Sequence, residues 1–505
     1  MGVSFCPAVT AKTVARPTCT VYNLHTIVIW SSRMAFELVI KNANVATASD
    51  RFCCDIGVSA GKVVAMASSL PAGEKTIDAK GLLTLPGGID SHVHLEQPGP
   101  PHIVMADGFE SGTLAAAFGG NTTVMPFCLQ RKGHTLRQAL SDYHGAAEGN
   151  CHVDVSFHLI VSDPTSAVLG QELPALVEAG YTSLKVFMTY DDLVLTDRQM
   201  MEVMAAAKET GALVMIHAEG YDTIRFLVDR LERAEKTRPF YHGPSRPVAV
   251  EREATHRAIS LAEITEVPIM IVHVSNREAM EEIARAQDRG LKIFGETCPQ
   301  YLVLTEADMD REQMEGAKYV CSPPPRTSEH QQACWEGLTR GVFQVFSSDH
   351  CPYRFAEDGK LNSRGKESFR WIPNGIPGIE TRLPILFSEG VKKGRIDVNR
   401  FVALTSTNHA KTYGLYPRKG TIAIGSDADI VLWDPEIRKT IRQSDLHHNC
   451  DYTPYEGLQV TGWPVTTIVR GKVIIEDGVL VDAGKNGQYL ERDRSALLSS
   501  ADLMR

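Results

Sequence analysis

Gly88-Ile89-Asp90-Ser91-His92-Val93-His94-Leu95 is a strand-like octet that carries two imidazoles at its end. Seven more apolar runs follow: NTTVMPF from Asn121, VDVSFHLIV from Val153, SLKVFMTY from Ser183, ALVMIHAE from Ala212, PIMIVHVS from Pro268, LKIFGETC from Leu291 and FQVFSSDH from Phe343. Between them lie segments with helical spacing, such as 197–210 and 276–290, which hold good helix formers and end near glycine. Eight strand-then-helix units are the grammar of an α/β fold, a (β/α)8 TIM-like barrel, where chemistry gathers at the C-terminal ends of the strands. No short internal repeat, charge run or low-complexity tract interrupts that alternation.

Outside the eight units the pattern changes. From 36 to about 85 the chain reads as short β-rich runs cut by turns, and similar runs return at 420–435 and 466–478. Neither flank is large enough to close a core alone, so together they are expected to form one small β-sandwich. The expected division is an N-terminal extension at 1–33, the first part of the sandwich at 34–88, and the barrel at 89–414. The second part of the sandwich then covers 415–480, and 481–505 is a tail. Residues 1–33 contain no acid and only Lys12, Arg16 and Arg33 as strong bases. They read as disordered or artefactual, with organellar import as the alternative.

Bulk composition excludes several classes. A formal net charge of -9 offers no basic face for nucleic acid. No stretch approaches the roughly 18 to 20 apolar residues that a membrane span needs. The 11 cysteines are odd in number, lack any CxxC pair and sit mostly in apolar runs. They read as reduced thiols, which places the protein in the cytoplasm.

Charged or ligating side chains at the ends of apolar strands need a reason, because burying a charge is costly unless it is paired or metal-bound. His92 and His94 point to one face at their i, i+2 spacing. Lys185, His217, His273 and Asp349 stand at or near the ends of four further strands. Taken singly, each histidine reads as a hydrogen-bonded structural residue, Lys185 as a snorkelling side chain and Asp349 as a helix cap. Gathered at one rim, they read as ligands for divalent metal, zinc by ligand type. Six such residues exceed the needs of one tetrahedral ion and suit two metals about 3.5 to 4 Å apart. A bare ammonium has no lone pair with which to bridge them. His102, His134, His144, His447 and His448 lack the strand-end pattern and are expected at the surface.

The segments PGGIDSHVHL, AAAFGGNTTVMPF, SLKVFMTY, MIHAEG, IVHVSN, GETCPQYL, CSPPPR, SSDHCP and IPNGIPGIETR occur in this order, followed by GTIAIGSDADIVLWDP. On these motifs the chain, from Met34 to about 480, resembles the D-hydantoinase and dihydropyrimidinase family of cyclic amidohydrolases. The resemblance implies that His92, His94 and Asp349 hold one metal, that His217 and His273 hold the second, and that Lys185, carboxylated by carbon dioxide to a carbamate, bridges both. It implies that the Tyr190 phenol holds the substrate carbonyl and that backbone groups of Ser322 and Asn374 hold the cyclic imide edge. From the residues alone, Tyr190 would be a strand-end aromatic and the other two would be turn residues.

The implied reaction opens a cyclic ureide to an N-carbamoyl amino acid. Water ionised near neutral pH by two cations attacks the ring carbonyl, Tyr190 and a metal stabilise the oxyanion, and Asp349 carries the proton to the leaving nitrogen. Dihydroorotase-like sequences resemble this one around HxHLRxPG, but Glu96 stands here in the arginine position and would repel a carboxylated ring. Allantoinase-like sequences read CPHYL where this chain has Cys298-Pro299-Gln300-Tyr301-Leu302. Both departures favour hydantoins or 5,6-dihydropyrimidines. Allantoin and simple cyclic imides are carried as alternatives, and the choice of ring and its stereochemistry stay open. Leu95, Phe127 and Phe187 read equally as pocket lining and as core.

Two other classes make distinct forecasts. A non-catalytic scaffold of the same family predicts substituted ligand positions, and a mononuclear deaminase has no use for Lys185. The resemblance further implies a homotetramer, with the tail reaching a neighbouring subunit.

Overall fold

The computed structural model describes residues 36–498, so the expectation for 1–33 lies outside the described residues. Eight parallel strands lie side by side in chain order. They are β1 (Gly88–Val93), β2 (Asn121–Leu129), β3 (His158–Ile160), β4 (Ser183–Phe187), β5 (Leu213–His217), β6 (Ile269–Ile271), β7 (Ile293–Thr297) and β8 (Phe343–Phe346). The ring closes where Val93 bridges His350 and the Ser348 N–H donates to Asp90 Oδ1 at 3.1 Å. The expected (β/α)8 barrel is present.

Both faces of these strands are covered, which is why they read as unbroken apolar runs and not as alternating ones. Leu213 and Met215 join one cluster with Ile89, Met125, Phe294 and Val345, whereas Val214 and Ile216 join the cluster that includes the surrounding helices. That alternation is the strand period sorting side chains between barrel interior and outer layer. The helices begin and end on local chemistry. Thr196 and Gln199 form a capping box ahead of helix Asp197–Thr210, which stops at Gly211 in a left-handed turn (φ 78°). Asn276 caps helix Arg277–Asp288 by accepting from the Ala279 N–H.

The two flanks share a second, mostly antiparallel sheet. Ile430–Thr440 pairs with Leu83–Pro86, which pairs with Leu38–Ala46, so the C-terminal flank is stitched to the N-terminal one. The outer strand Lys62–Ala67 curls round to bond residues 425–427, and a main apolar cluster fills the fold beside a smaller one at Phe36, Val39 and Leu70. This is the small β-domain expected from the flanks.

Residues 488–493, read above as part of a subunit-contacting tail, are engaged in sealing their own barrel. Val155 exchanges backbone hydrogen bonds with Gln488 and Leu490, and Leu490 is fully buried in the interior cluster. Arg492 donates to Ser183 Oγ at 2.9 Å and to the Phe157 carbonyl at 2.6 Å, at the N-terminal end of β4. The plug is therefore a structural element of the barrel floor. Leu490→Ala is expected to destabilise the protein by about 2–5 kcal/mol, read as a fall in the denaturant midpoint; an unchanged midpoint would show the plug to be dispensable.

Candidate metal centre

The six residues singled out at the strand ends converge on the C-terminal rim. His92 and His94 have ring centroids 5.5 Å apart. Asp349 Oδ1 lies 3.2 Å from His92 Nε2 and 3.5 Å from His94 Nε2. One donor atom from each of these three residues lies within 4.8 Å of the others. On the other side, the His273 ring stands 5.3 Å from His92 and 4.4 Å from His217. Lys185 is buried among them, with Nζ 3.5 Å from His92 Nε2 and close to the faces of Phe127 and Phe187.

Burial, reinforced by the Lys185 charge, holds His92 well below the ordinary imidazole range, and burial then His217 does the same to His273. Burial also lowers His217. Neutral imidazoles are the ligating form. Burial pushes the Lys185 amine down as well. His273 Nδ1 is buried without a hydrogen-bond partner among the described residues, a position that water or a metal would have to satisfy. A carboxylate, four imidazoles, one of them with an orphaned ring nitrogen, and a buried amine fit a divalent metal centre.

Outer partners fix the imidazoles. Glu296, fully buried in β7, accepts from His92 Nδ1 at 2.7 Å, from the His273 N–H at 3.1 Å and from Ser347 Oγ at 2.8 Å. Burial raises its carboxyl, partly opposed by Lys185. Gln97 Oε1 meets His94 Nδ1 at 2.7 Å, and Glu219 Oε2 meets His217 Nε2 at 2.7 Å. Sequence reading missed all three. Glu296 was available to the rule that found Lys185, since it is a charge inside the apolar run LKIFGETC; Gln97 sits in a turn and gave no signal.

Tyr190, half-buried with its ring 5.3 Å from His217, has the polar side chains of Ser322 and Asn374 beside its phenol. The three residues promoted by family resemblance therefore stand together beside the second histidine pair. Burial, then Glu219, keeps the phenol above its usual range and so protonated. Tyr190 (φ 73°), His273 (φ 42°) and Asp349 (φ 50°) all adopt left-handed backbone just beyond their strands. Such conformations cost about 1–3 kcal/mol each and cluster at functional sites.

Several secondary expectations change. Leu95 is core, packed against Gly112, whereas Phe127 and Phe187 stack on His94 and His217 beside Lys185. Glu96 caps helix Phe109–Phe118 by accepting from the Phe109 N–H at 3.2 Å. The Glu96 carboxylate is thereby engaged at a helix start, so the expectation that it would repel a carboxylated ring loses its basis, and only the absent arginine remains of that argument. His448 is buried beside His350, not at the surface, because Asn449 is tied to Asp107 and draws that loop inward.

Residues 83–474 match the model of the amidohydrolase family. A D-hydantoinase of Rhizobium radiobacter is 45% identical over 457 residues, which cover 90% of this chain and 99% of that protein. One from Geobacillus stearothermophilus is 44% identical over 471 residues, covering 92% and 99%. The crystal structure of dihydropyrimidinase from Brevibacillus agri NCHU1002 superposes with a TM-score of 0.88 at 44% identity, over 91% of this chain and 99% of that one. The chain belongs to the amidohydrolase family, within its D-hydantoinase and dihydropyrimidinase group, and is a cyclic amidohydrolase. The scaffold reading required substituted positions, and all six residues stand in place.

Glu296→Gln puts an amide where three donors converge on a carboxylate, and is expected to weaken divalent-metal affinity by about 10–100-fold. Chelator competition on the folded variant measures it, and parental affinity would remove Glu296 from the centre's support.

Proposed function

We propose that the protein hydrolyses the ring amide of hydantoins or 5,6-dihydropyrimidines to N-carbamoyl amino acids. The observation that carries this reading is the convergence of His92, His94, His217, His273 and Asp349 around buried Lys185. The first metal would be held by His92, His94 and Asp349, the second by His217 and His273, with carboxylated Lys185 common to both. Zinc is the ion these ligands suit. Burial lowers the basicity of Lys185 and so enlarges its share of neutral amine, the form that adds carbon dioxide.

Divalent ions bound there would supply Lewis acidity, lowering the pKa of water to near neutrality and polarising a carbonyl. Asp349, in reach of both His92 and His94, accepts the proton of the attacking water and delivers it to the ring nitrogen as the C–N bond breaks. Tyr190, kept protonated by its surroundings, donates to the carbonyl oxygen as negative charge develops there. Ser322 and Asn374 hold the imide edge through their backbone groups and fix which carbonyl faces the nucleophile. Phe127 and Phe187 exclude water from the Lys185 side. The assembly is read as a homotetramer and its compartment as the cytoplasm; no helix among the described residues is long and apolar enough to cross a membrane.

A substrate panel tests the reading: dihydrouracil, dihydrothymine, hydantoin, 5-phenylhydantoin, allantoin, dihydroorotate and succinimide. Opening of a hydantoin or dihydropyrimidine is the expected result, and opening of allantoin or dihydroorotate alone overturns the assignment. Asp349→Asn is expected to lower kcat by about 10²–10⁴-fold, measured with the ring the parent opens. Mass spectrometry of active enzyme should find Lys185 heavier by one carbon dioxide, and an unmodified Lys185 would sink the two-metal scheme.

A further inference from the structure

Of the three buried lysines among the described residues, Lys185 belongs to the centre above and Lys419 is paired with Asp154, Asp427 and Asp429, whereas Lys360 has no part in either. It is fully buried, and its Nζ donates to the Val320 carbonyl at 2.7 Å and to the Pro373 carbonyl at 2.6 Å. The titratable groups that face it are the thiols of Cys321, Cys351 and Cys450, and no carboxylate among the described residues pairs with it. An ammonium buried without a counter-ion is costly, and an apolar residue would fill the space more cheaply. Its two acceptors are not arbitrary carbonyls. Val320 precedes the Cys321-Ser322 turn, and Pro373 precedes Asn374, so each acceptor lies at the root of one of the two loops that meet Tyr190. The Val320 carbonyl also accepts from the Gly375 N–H at 3.1 Å, which makes it the point where the loops join.

We propose that Lys360 is a positioning residue for ring opening: it clamps the Ser322 and Asn374 loops at their shared root. Burial lowers Lys360 to about 8, and its N–H donors can meet both carbonyls in either protonation form.

The inference rests on the proposed function in one respect, the assignment of Ser322 and Asn374 to the ring edge. The test compares parent, Lys360→Met and Lys360→Gln as full-length, metal-loaded proteins. Met removes charge and donors, while Gln keeps N–H donors without charge. With the ring that the parent opens, Lys360→Met is expected to raise KM about tenfold or more with kcat within about threefold, because ground-state and transition-state binding of the imide edge weaken together. Lys360→Gln should fall between the two. Amide exchange at 320–323 and 373–375 should quicken about tenfold in Lys360→Met while the barrel strands keep parental rates. KM within twofold of the parent in both variants, or a fall in kcat with KM unchanged, overturns the proposal. Should Lys360→Met fail to fold, Lys360→Gln decides by the same readings. A parent that opens no ring in the panel refutes the proposed function instead, and parental exchange rates in both variants would then refute the clamp on its own terms.

Discussion

A carboxylate inside a barrel wall is an expensive object, and the centre of this protein depends on one. Glu296 has no access to water, and it repays that cost by accepting from three directions at once: the His92 ring, the His273 backbone and the Ser347 hydroxyl. Those donors sit on or just beyond β1, β6 and β8, while Glu296 belongs to β7. One side chain therefore fixes the relative positions of four barrel segments and of histidines from both halves of the centre. The chain of contacts continues inward, from Ser347 to Ser91 at 3.2 Å and from Ser91 to His409 at 2.8 Å. His409 in turn meets the Leu404 and Phe346 carbonyls. The ring orientation of His92 is thus set by a polar column through an otherwise apolar interior.

That column explains why the rest of the centre tolerates its own internal conflict. Lys185 and four imidazoles crowd one space, and burial, with mutual repulsion behind it, lowers His92, His217 and His273 toward their neutral forms. Three residues hold left-handed backbone there without being glycine. Strain of that kind persists only when surrounding structure over-determines it. Here the determination comes from the interior cluster packed beneath the rim and from the Leu490 plug at the opposite end. The stability of the barrel floor and the strain at its mouth are parts of one balance.

How much of this the sequence discloses follows from the range of each interaction. The barrel was legible because eight apolar runs and their helices are local patterns. His92, His94, Lys185, His217, His273 and Asp349 were legible because each breaks a strand's apolar pattern in a way that needs an explanation. Tyr190, Ser322 and Asn374 break no pattern, and only family resemblance pointed to them. Glu296 broke the pattern as plainly as Lys185, yet acids in strands lack the ligand connotation of a histidine pair. Glu96 shows the opposite failure: its position suggested a role toward substrate, while its left-handed backbone (φ 52°) turns the carboxylate to a helix start. Direction of that sort depends on a single dihedral and leaves no trace in residue type. His448 became buried through Asp107, 341 positions earlier in the chain, a contact no local reading reaches.

The seam of the barrel adds a last constraint. Closure is made by His350, whose carbonyl accepts from the His94 N–H at 2.7 Å and whose ring lies 3.2 Å from Asp107. Asp349, the residue that carries the proton in the proposed reaction, is its immediate neighbour. The Gly378 N–H donates to His350 Nδ1 at 3.1 Å, and the Cys351 N–H donates to the Ile376 carbonyl, so the Asn374 loop hangs from the same seam. A barrel that has not joined its first and last strands therefore lacks the His94–Asp349 pair and the anchored Asn374 loop together. The proton carrier stands where the two ends of the sheet meet, so a partly closed barrel, with its interior open to water, has no assembled centre with which to act.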